Sequence, residues 1–331
     1  MSHEDHYKTY TNTKNTFIHL PMKLTAIILT YNEELHLARC LKSAFKLTPN
    51  IVVVDCFSTD KTVEIAKSYG VTVLQRAWDG SHSTQVNWAL DQLVVLPGAN
   101  DKSKWVMRID ADEILTSELV TQIKRSLGTV LDDIHGISCI RKMMFQGKLI
   151  RFGGVGANRV MRIFRRGFGQ SEARWMDEHI KVEGKTIALS GAMIDDNLRP
   201  LAWWIEKHNG YSSREAVDLL NLQYQFSEQN SVASLSLENS SIGLKRWIKE
   251  NIYANLPGGA RSLAYFLWRY IFMLGFLDGA RGTQFHFFQA LWYRYLVDCK
   301  VAEVQRYIKE HQVKPIAAVK QVLGIDLSQT K

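Results

Sequence analysis

Cysteine is scarce in this chain of 331 residues: there are four, at positions 40, 56, 139 and 299, with no CxxC pair and no clustering with histidine. That spacing argues against a zinc site or a disulfide scaffold and favours a reducing compartment. Long hydrophobic runs are missing as well. The longest uncharged stretches, Gly80–Leu90 and Gly282–Tyr293, reach eleven and twelve residues, whereas a membrane-spanning helix needs about 20 apolar ones. The opening MSHEDHYKTYTNTKNT has no apolar segment of the kind a secretory signal carries. Residues 1–22 therefore read as a flexible tail, and cytoplasmic residence is expected. No internal repeat is evident. What the chain does have is a globular composition, 46% apolar and 22% charged, which excludes wholesale disorder and fibrous repeats. Its 41 Lys and Arg exceed its 33 Asp and Glu, a net charge of +8. Such a surplus favours anionic partners (nucleotides, phospholipid headgroups or nucleic acid), although a merely soluble basic surface would also carry it.

From Lys23 the pattern turns regular. Leu24–Thr30 is a short apolar run that predicts a buried strand. Leu37, Cys40, Leu41, Ala44 and Phe45 fall on one stripe of a helix. Ile51–Val54 is the next strand, ending at Asp55; Ser58, Thr59 and Asp60 offer helix caps, and a helix follows to about Tyr69. Val71–Leu74 predicts a third strand, Val86, Ala89, Leu90 and Leu93 a further helix, and Trp105–Ile109 a fourth strand ending at Asp110. Alternation of continuous apolar strands with helices implies an α/β fold, a mostly parallel sheet with helices on both faces. Ligands of such sheets bind beyond the carboxyl ends of the strands. Residues 135–195 read as further β-structure, and helical stripes take over from about 196. Three regions result: the tail 1–22, a catalytic domain 23–195 and a helical region 196–331.

The chemistry concentrates at the strand ends: Thr30-Tyr31-Asn32-Glu33, Asp55, and Asp110-Ala111-Asp112-Glu113. Two carboxylates just past a strand suit Mg²⁺ or Mn²⁺ bridging a diphosphate, since these ions take one or two carboxylates plus phosphate oxygens. An Asp-x-Asp pair arises by chance about once in a chain this long, so its position beside Asp55 and Asn32 carries the argument. Asp55 alone suits either a hydrogen bond to a base or ribose or a plain turn, and Tyr31-Asn32-Glu33 could simply open the first helix.

Taken in order, Thr30-Tyr31-Asn32-Glu33, Val52-Val53-Val54-Asp55-Cys56-Phe57-Ser58-Thr59-Asp60 and Asp110-Ala111-Asp112-Glu113 resemble the signature of family 2 glycosyltransferases with the GT-A fold. Gln85-x-Asn87-Trp88-Ala89-Leu90 and Arg162-Ile163-Phe164-Arg165-Arg166-Gly167 are similar to the branch that builds bacterial lipopolysaccharide core, O-antigen and capsule. The resemblance is close over about 24–115, patchy over 158–190 and loose beyond. It departs at Cys56-Phe57, where the family usually has a small residue and glycine. It implies a Rossmann-like GT-A domain and a nucleotide-sugar donor, UDP-sugar being the expected kind. Asp55 would contact the base, Tyr31 and Glu33 would lie near base and ribose, and Thr30 and Asn87 complete the donor set. Asp110 would touch ribose, the metal or metal-bound water, and Asp112 would bind the metal. The acceptor implied is a lipid-linked or core oligosaccharide.

An acceptor hydroxyl needs a general base, and the candidates are Asp177 and Glu178. Glu178 shares parity with Ile180 and Val182, the inward face of the expected strand, and Asp177 with His179 and Lys181; Glu178 is preferred. His179 and His208 read as structural rather than metal-binding, and Arg159, Arg162 and Arg165 as mainly solvated. Residues 243–299 hold fourteen aromatics interrupted by Arg261, Arg269 and Arg281. They read either as a helical core or, preferred here, as interfacial helices at the inner face of the cytoplasmic membrane. Two other functions compete. A sugar-phosphate nucleotidyltransferase calls for a glycine-rich loop, which Tyr31-Asn32-Glu33-Glu34 lacks. A non-enzymatic membrane or nucleic-acid binding module would use the +8 charge, but that charge is spread rather than clustered, and no nucleic-acid partner is expected.

Overall fold

The strands predicted from apolar runs form, and their two-residue alternation decides which helices cover each face. The computed structural model describes residues 24–79, 81–94, 105–156, 158–172, 179–226 and 259–327; the expected tail lies outside them. In β1 (Leu24–Thr30), Leu24, Ala26 and Ile28 join one core and Ile27 and Leu29 the other. β2 (Ile51–Asp55) divides in the same way, and so does β4 (Trp105–Asp110), with Trp105, Met107 and Ile109 on the first face. α1 (Leu37–Phe45) covers the first face with Leu37, Cys40, Leu41 and Ala44, and α4 (Ser117–Thr129) adds Leu119, Val120 and Ile123. α3 (His82–Val94) covers the second with Val86, Ala89 and Leu93. Burying each such aliphatic side chain is worth about 1.5–3 kcal/mol. A one-residue slip of β4 would drive Arg108 into the α1 core, so the register is firmly set.

α2 (Thr62–Ser68) follows the turn after β2, and β3 (Thr72–Gln75) starts one residue later than the sequence suggests. β5 (Glu113–Leu115), β6 (Ile134–Phe145), β7 (Lys148–Ile150), β8 (Asn158–Arg165) and β11 (Lys185–Asp195) complete a nine-stranded sheet of order β3-β2-β1-β4-β8-β6-β11-β5, with β7 paired to β6. β9 (Gly169–Ser171) and β10 (Ile180–Val182) form a separate ribbon. The first four strands of the order are parallel. β8 is antiparallel to both β4 and β6, β11 is parallel to β6, and β5 is antiparallel to β11. The α/β sheet is thus mixed rather than mostly parallel in its second half. One consequence matters for function: β6 and β11 run in the direction of β4 and end on the same edge.

The helical region follows. α5 (Leu201–Tyr224), α8 (Tyr293–His311) and α9 (Pro315–Leu323) pack through Val217, Leu220, Val304, Ala318 and Val319. α6 (Ala260–Leu267) runs into a π-helical turn, Trp268–Phe272; a tight turn, Gly275–Asp278, leads to α7 (Gly279–His286) and a second π turn, Phe287–Trp292. This hairpin docks on the β7–β8 connection. Asp278 accepts the N–H groups of Arg151 (3.0 Å) and Phe152 (2.9 Å), and Phe145, Ile150 and Phe285 pack together. The aromatics divide: Phe285 and Tyr293 are core, whereas Trp268, Phe272 and Phe276 are exposed, together with the aliphatic Ile271 and Leu277. Of the three arginines expected at an interface, Arg261 and Arg269 are buried and Arg281 is exposed. Arg261 pairs with Asp298, and Arg269 Nε donates to Gly153 O at 2.8 Å.

His286 sits inside this hairpin, fully buried, with neither ring nitrogen hydrogen-bonded. A Cβ on Gly153, which has φ +72°, would come within 2.0 Å of the ring, so only glycine leaves room there. Burial pushes His286 down to about 4, Arg269 adds to the shift and Asp278 opposes it; burial likewise lowers His208 to about 4. An unfolded histidine titrates near 6.5. Between about pH 6.5 and 4 the unfolded chain therefore binds protons that the folded chain refuses, and stability falls as pH falls through that window. Melting temperatures recorded from pH 7 to 4 should decline, and His286→Leu should flatten the slope whatever its effect on the absolute value. An unchanged slope would contradict this assignment.

Candidate active site at the carboxyl edge of the sheet

Strand register brings the acidic residues together. Thr30 is level with Asp55, and Leu29 with Asp110. β11 adds Asp195 on the same edge, beside Asp112: the Asp196 N–H donates to Asp112 O at 3.0 Å, and Asn197 Nδ2 to Asp112 Oδ2 at 3.1 Å. Asp195 has the same sequence signal as Asp55 and Asp110, an apolar strand ending in aspartate, and sequence reasoning passed over it. Asp110, Asp112 and Asp195 face a cavity of about 640 Å³ whose walls also include Glu33, Arg199 and Lys207, within the size range of small-molecule sites.

The carboxylates differ sharply in environment. Asp110 meets Arg108 through Oδ1 (3.2 Å) and Arg162 through Oδ2 (2.9 Å). Burial works against its charge, but the two guanidinium groups outweigh burial and hold its carboxyl well below the usual range. Arg162 also reaches Glu113 at 2.5 Å, and Glu113 accepts the Asp110 N–H at 2.9 Å. Arg162 is therefore buried within the site, not solvated as its three-residue repeat with Arg159 and Arg165 suggested. Arg165 is buried too, against Trp105 and Ile134 O. Asp195 is the opposite case to Asp110. Burial, then the charge of Asp112, push it up to about 8, and Arg141, 3.9 Å away, compensates only in part.

Several of the expected donor residues face inward. Asp55 is fully buried and takes Thr30 Oγ1 (3.0 Å), Ser58 N (2.9 Å), Ser58 Oγ (2.5 Å) and Gln75 Nε2 (3.2 Å). It and Thr30 organise the turn and present no free atom to the cleft. Phe57 adopts φ +57°, the left-handed conformation glycine would take freely, so the turn forms despite the Cys56-Phe57 departure. Asn87 is also committed: its amide exchanges hydrogen bonds with the Ser171 N–H and C=O, each at 2.9 Å, and clamps β9. Tyr31, by contrast, is exposed at the mouth of β1.

Glu33 lines the cavity and faces His36 Nδ1 at 2.5 Å. His36 Nε2 accepts the Leu198 N–H at 2.9 Å, which places the ring proton on Nδ1. Arg39 binds Asp196, and Arg199 donates to Asn32 O. The segment Asp195–Arg199 is thereby latched to the β1–α1 loop. His208 is structural: its Nδ1 donates to Trp204 O at 2.8 Å and its ring stacks on Trp204. Asp177 and Glu178 lie outside the described residues. β10 begins after them, at Ile180, whose side chain is buried while Lys181 is exposed, as the parity argument expects.

A sheet edge that gathers acids and arginines beside a cavity of this size suits a small, charged ligand bound at the carboxyl ends of an α/β sheet. Residues 25–134 match the family model described as glycosyl transferase family 2. The lipopolysaccharide core biosynthesis glycosyltransferase LpsC of Rhizobium meliloti is 30% identical over 204 residues, 59% of this chain and 71% of that protein. An uncharacterized glycosyltransferase of Rickettsia typhi is 29% identical over 215 residues, 62% of this chain and 70% of that protein. Among solved structures, the mannosyltransferase PcManGT of Pyrobaculum calidifontis, in complex with GDP-Man and Mn²⁺, aligns over 95% of this chain and 89% of its own at 14% identity and TM-score 0.42. Glucosyl-3-phosphoglycerate synthase of Mycobacterium tuberculosis aligns over 36% of this chain and 44% of its own, at 20% identity and TM-score 0.29. The chain belongs to glycosyl transferase family 2 and is a glycosyltransferase. The competing nucleotidyltransferase and binding-module readings fall away.

Proposed function

We propose that the enzyme moves a sugar from a nucleotide-diphospho-sugar to a hydroxyl of a glycan or lipid-linked saccharide, with inversion, in cell-surface polysaccharide biosynthesis of the lipopolysaccharide-core kind. The observation that carries this reading is the junction of Asp110, Asp112 and Asp195 at one sheet edge, facing the cavity. Tyr31 offers an exposed ring to the base, and Glu33 a carboxylate to the ribose. A divalent cation fits the donor set. Asp112 Oδ1 has no partner among the described residues, and Asp195 is driven toward protonation by burial and then by the charge of Asp112, which Arg141 offsets only in part. Asp112 and Asp195 would hold Mg²⁺ or Mn²⁺, and the bound ion would supply neutralisation of the charge growing on the leaving diphosphate. Asp110, already committed to Arg108 and Arg162, positions the strand end rather than serving as a ligand. Glu178, or Asp177 next to it, is the proposed base for the acceptor hydroxyl; its support is the inward parity of β10.

The reading includes an acceptor at a membrane surface. Trp268, Ile271, Phe272, Phe276 and Leu277 form an exposed apolar tip on the hairpin, of the composition that beds into a headgroup layer. No helix among the described residues is long and apolar enough to cross a membrane. Flotation with anionic phospholipid vesicles tests the docking. The catalytic reading is tested by calorimetry with UDP, GDP, CDP and dTDP. One nucleoside diphosphate should bind in Mn²⁺ and weaken at least about tenfold in EDTA, a difference of about 1.4 kcal/mol. Binding of none, or binding indifferent to the metal, would refute it.

A further inference from the structure

The wall of the cavity formed by α5 has a regular pattern that donor binding does not account for. Trp203, Lys207, Tyr211 and Arg214 fall on one face of α5, and Arg199 precedes it at the same spacing. Cation and ring alternate along the stripe. Arg199 lies 4.8 Å from the Trp203 ring centre; Lys207 lies 4.8 Å from Trp203 and 5.6 Å from Tyr211; and Arg214 lies 5.9 Å from Tyr211. From Trp203 to Arg214 the stripe runs about 16 Å along the helix, longer than one diphosphate.

None of these three cations forms an ion pair with a carboxylate among the described residues. Arg108 and Arg141, which also line the cavity, and Arg162 behind them are by contrast engaged with Asp110, Asp195 and Glu113. Burial works against the Lys207 ammonium, yet Tyr211, Asp112 and Glu33 outweigh it and raise its pKa, so it stays charged. At the far end Arg269 is buried with Nη2 lacking any partner. In all, six guanidinium or ammonium groups line the cavity against four carboxylates. A divalent cation and the diphosphate of a nucleotide-sugar carry charges of about +2 and −2 and cancel, which leaves the surplus of cations unmatched. Holding unpaired cations in a semi-enclosed wall is costly unless an anion arrives.

We propose that the acceptor is an anionic saccharide: its phosphate or carboxylate group binds the Arg214 end of the α5 stripe, and its sugar rings lie on Trp203 and Tyr211. This rests on the glycosyltransferase reading above and adds to it the class of acceptor. Arg214 stands seven residues beyond Lys207, about 10 Å further along α5, so it separates acceptor recognition from the diphosphate end. A charge-assisted hydrogen bond from Arg214 gives the selectivity.

The test titrates the full chain with glucose 6-phosphate, glucuronate and the neutral methyl glucoside, with and without UDP–Mn²⁺ or GDP–Mn²⁺. At least one anionic sugar should bind about tenfold more tightly than methyl glucoside, and the pair distinguishes a phosphate from a carboxylate. Arg214→Gln should erase that preference, Arg214→Lys should restore part of it, and the affinity for the nucleoside diphosphate should stay within about twofold in both. Equal binding of neutral and anionic sugars, no binding of either anionic sugar, or a preference undisturbed in Arg214→Gln overturns the inference even when nucleotide binding is intact. Failure of the parent protein to bind any nucleoside diphosphate would instead overturn the donor reading, and the sugar titrations without nucleotide would still decide the acceptor question.

Discussion

Asp112→Asn should lower sugar transfer about a hundred- to a thousandfold, the usual loss when one preorganised electrostatic contact to a transition state is removed, and should leave the fold intact. The substitution keeps the shape of the side chain and its hydrogen bond from Asn197. It removes one of the two carboxylates proposed to hold the cation. It also relieves Asp195, whose carboxyl is pushed up to about 8 by burial and by Asp112. The variant should therefore melt no lower than the parent. Release of nucleoside diphosphate from a nucleotide-sugar, followed with and without Mn²⁺, is the measurement. Parental turnover would remove Asp112 from the mechanism, whereas lost turnover together with a lowered melting point would make its role structural.

Arg162→Met should produce the largest loss of stability of any single substitution at the site, about 3–5 kcal/mol. Arg162 is buried and its Nη2 serves two carboxylates, Asp110 at 2.9 Å and Glu113 at 2.5 Å. Glu113 is itself buried, and burial already raises its pKa, with Asp110 adding and Arg162 opposing. Without the guanidinium, that carboxyl takes up a proton or stays charged with no partner, and either outcome costs the folded state. The double variant Arg162→Met/Glu113→Gln should recover a substantial part of the loss, because it removes the stranded acid with its partner. Urea unfolding of both variants checks this. A loss under about 1 kcal/mol for Arg162→Met would show that the network contributes little.

Much of this site was legible in one dimension. Apolar runs closed by an acid located β1, β2 and β4, and parallel packing of such runs puts their carboxyl ends side by side. Asp112 and Glu33 could be found in that way. The inward turn of Asp55 and Asn87 could not, because Thr30, Gln75 and the Ser171 backbone, which join the local Ser58 in satisfying them, come from other segments. The burial of Arg162 is hidden from the sequence for a related reason. A strand carrying arginines at every third position looks half solvated, but β8 is inserted between β4 and β6, and that insertion buries Arg162 and Arg165 while Arg159 remains exposed.

The order of residues by itself determined the periodicities: which segments become strands or helices, which faces turn inward, and where acids close a strand. These follow from local geometry and the cost of leaving apolar surface in water. Only the tertiary structure decided that β11 runs parallel to β6 and delivers Asp195 to the side of Asp112, and that α5 lays its alternating cations and rings across from them. Pairings between segments fifty or more residues apart depend on how the whole sheet closes, and no local pattern encodes that.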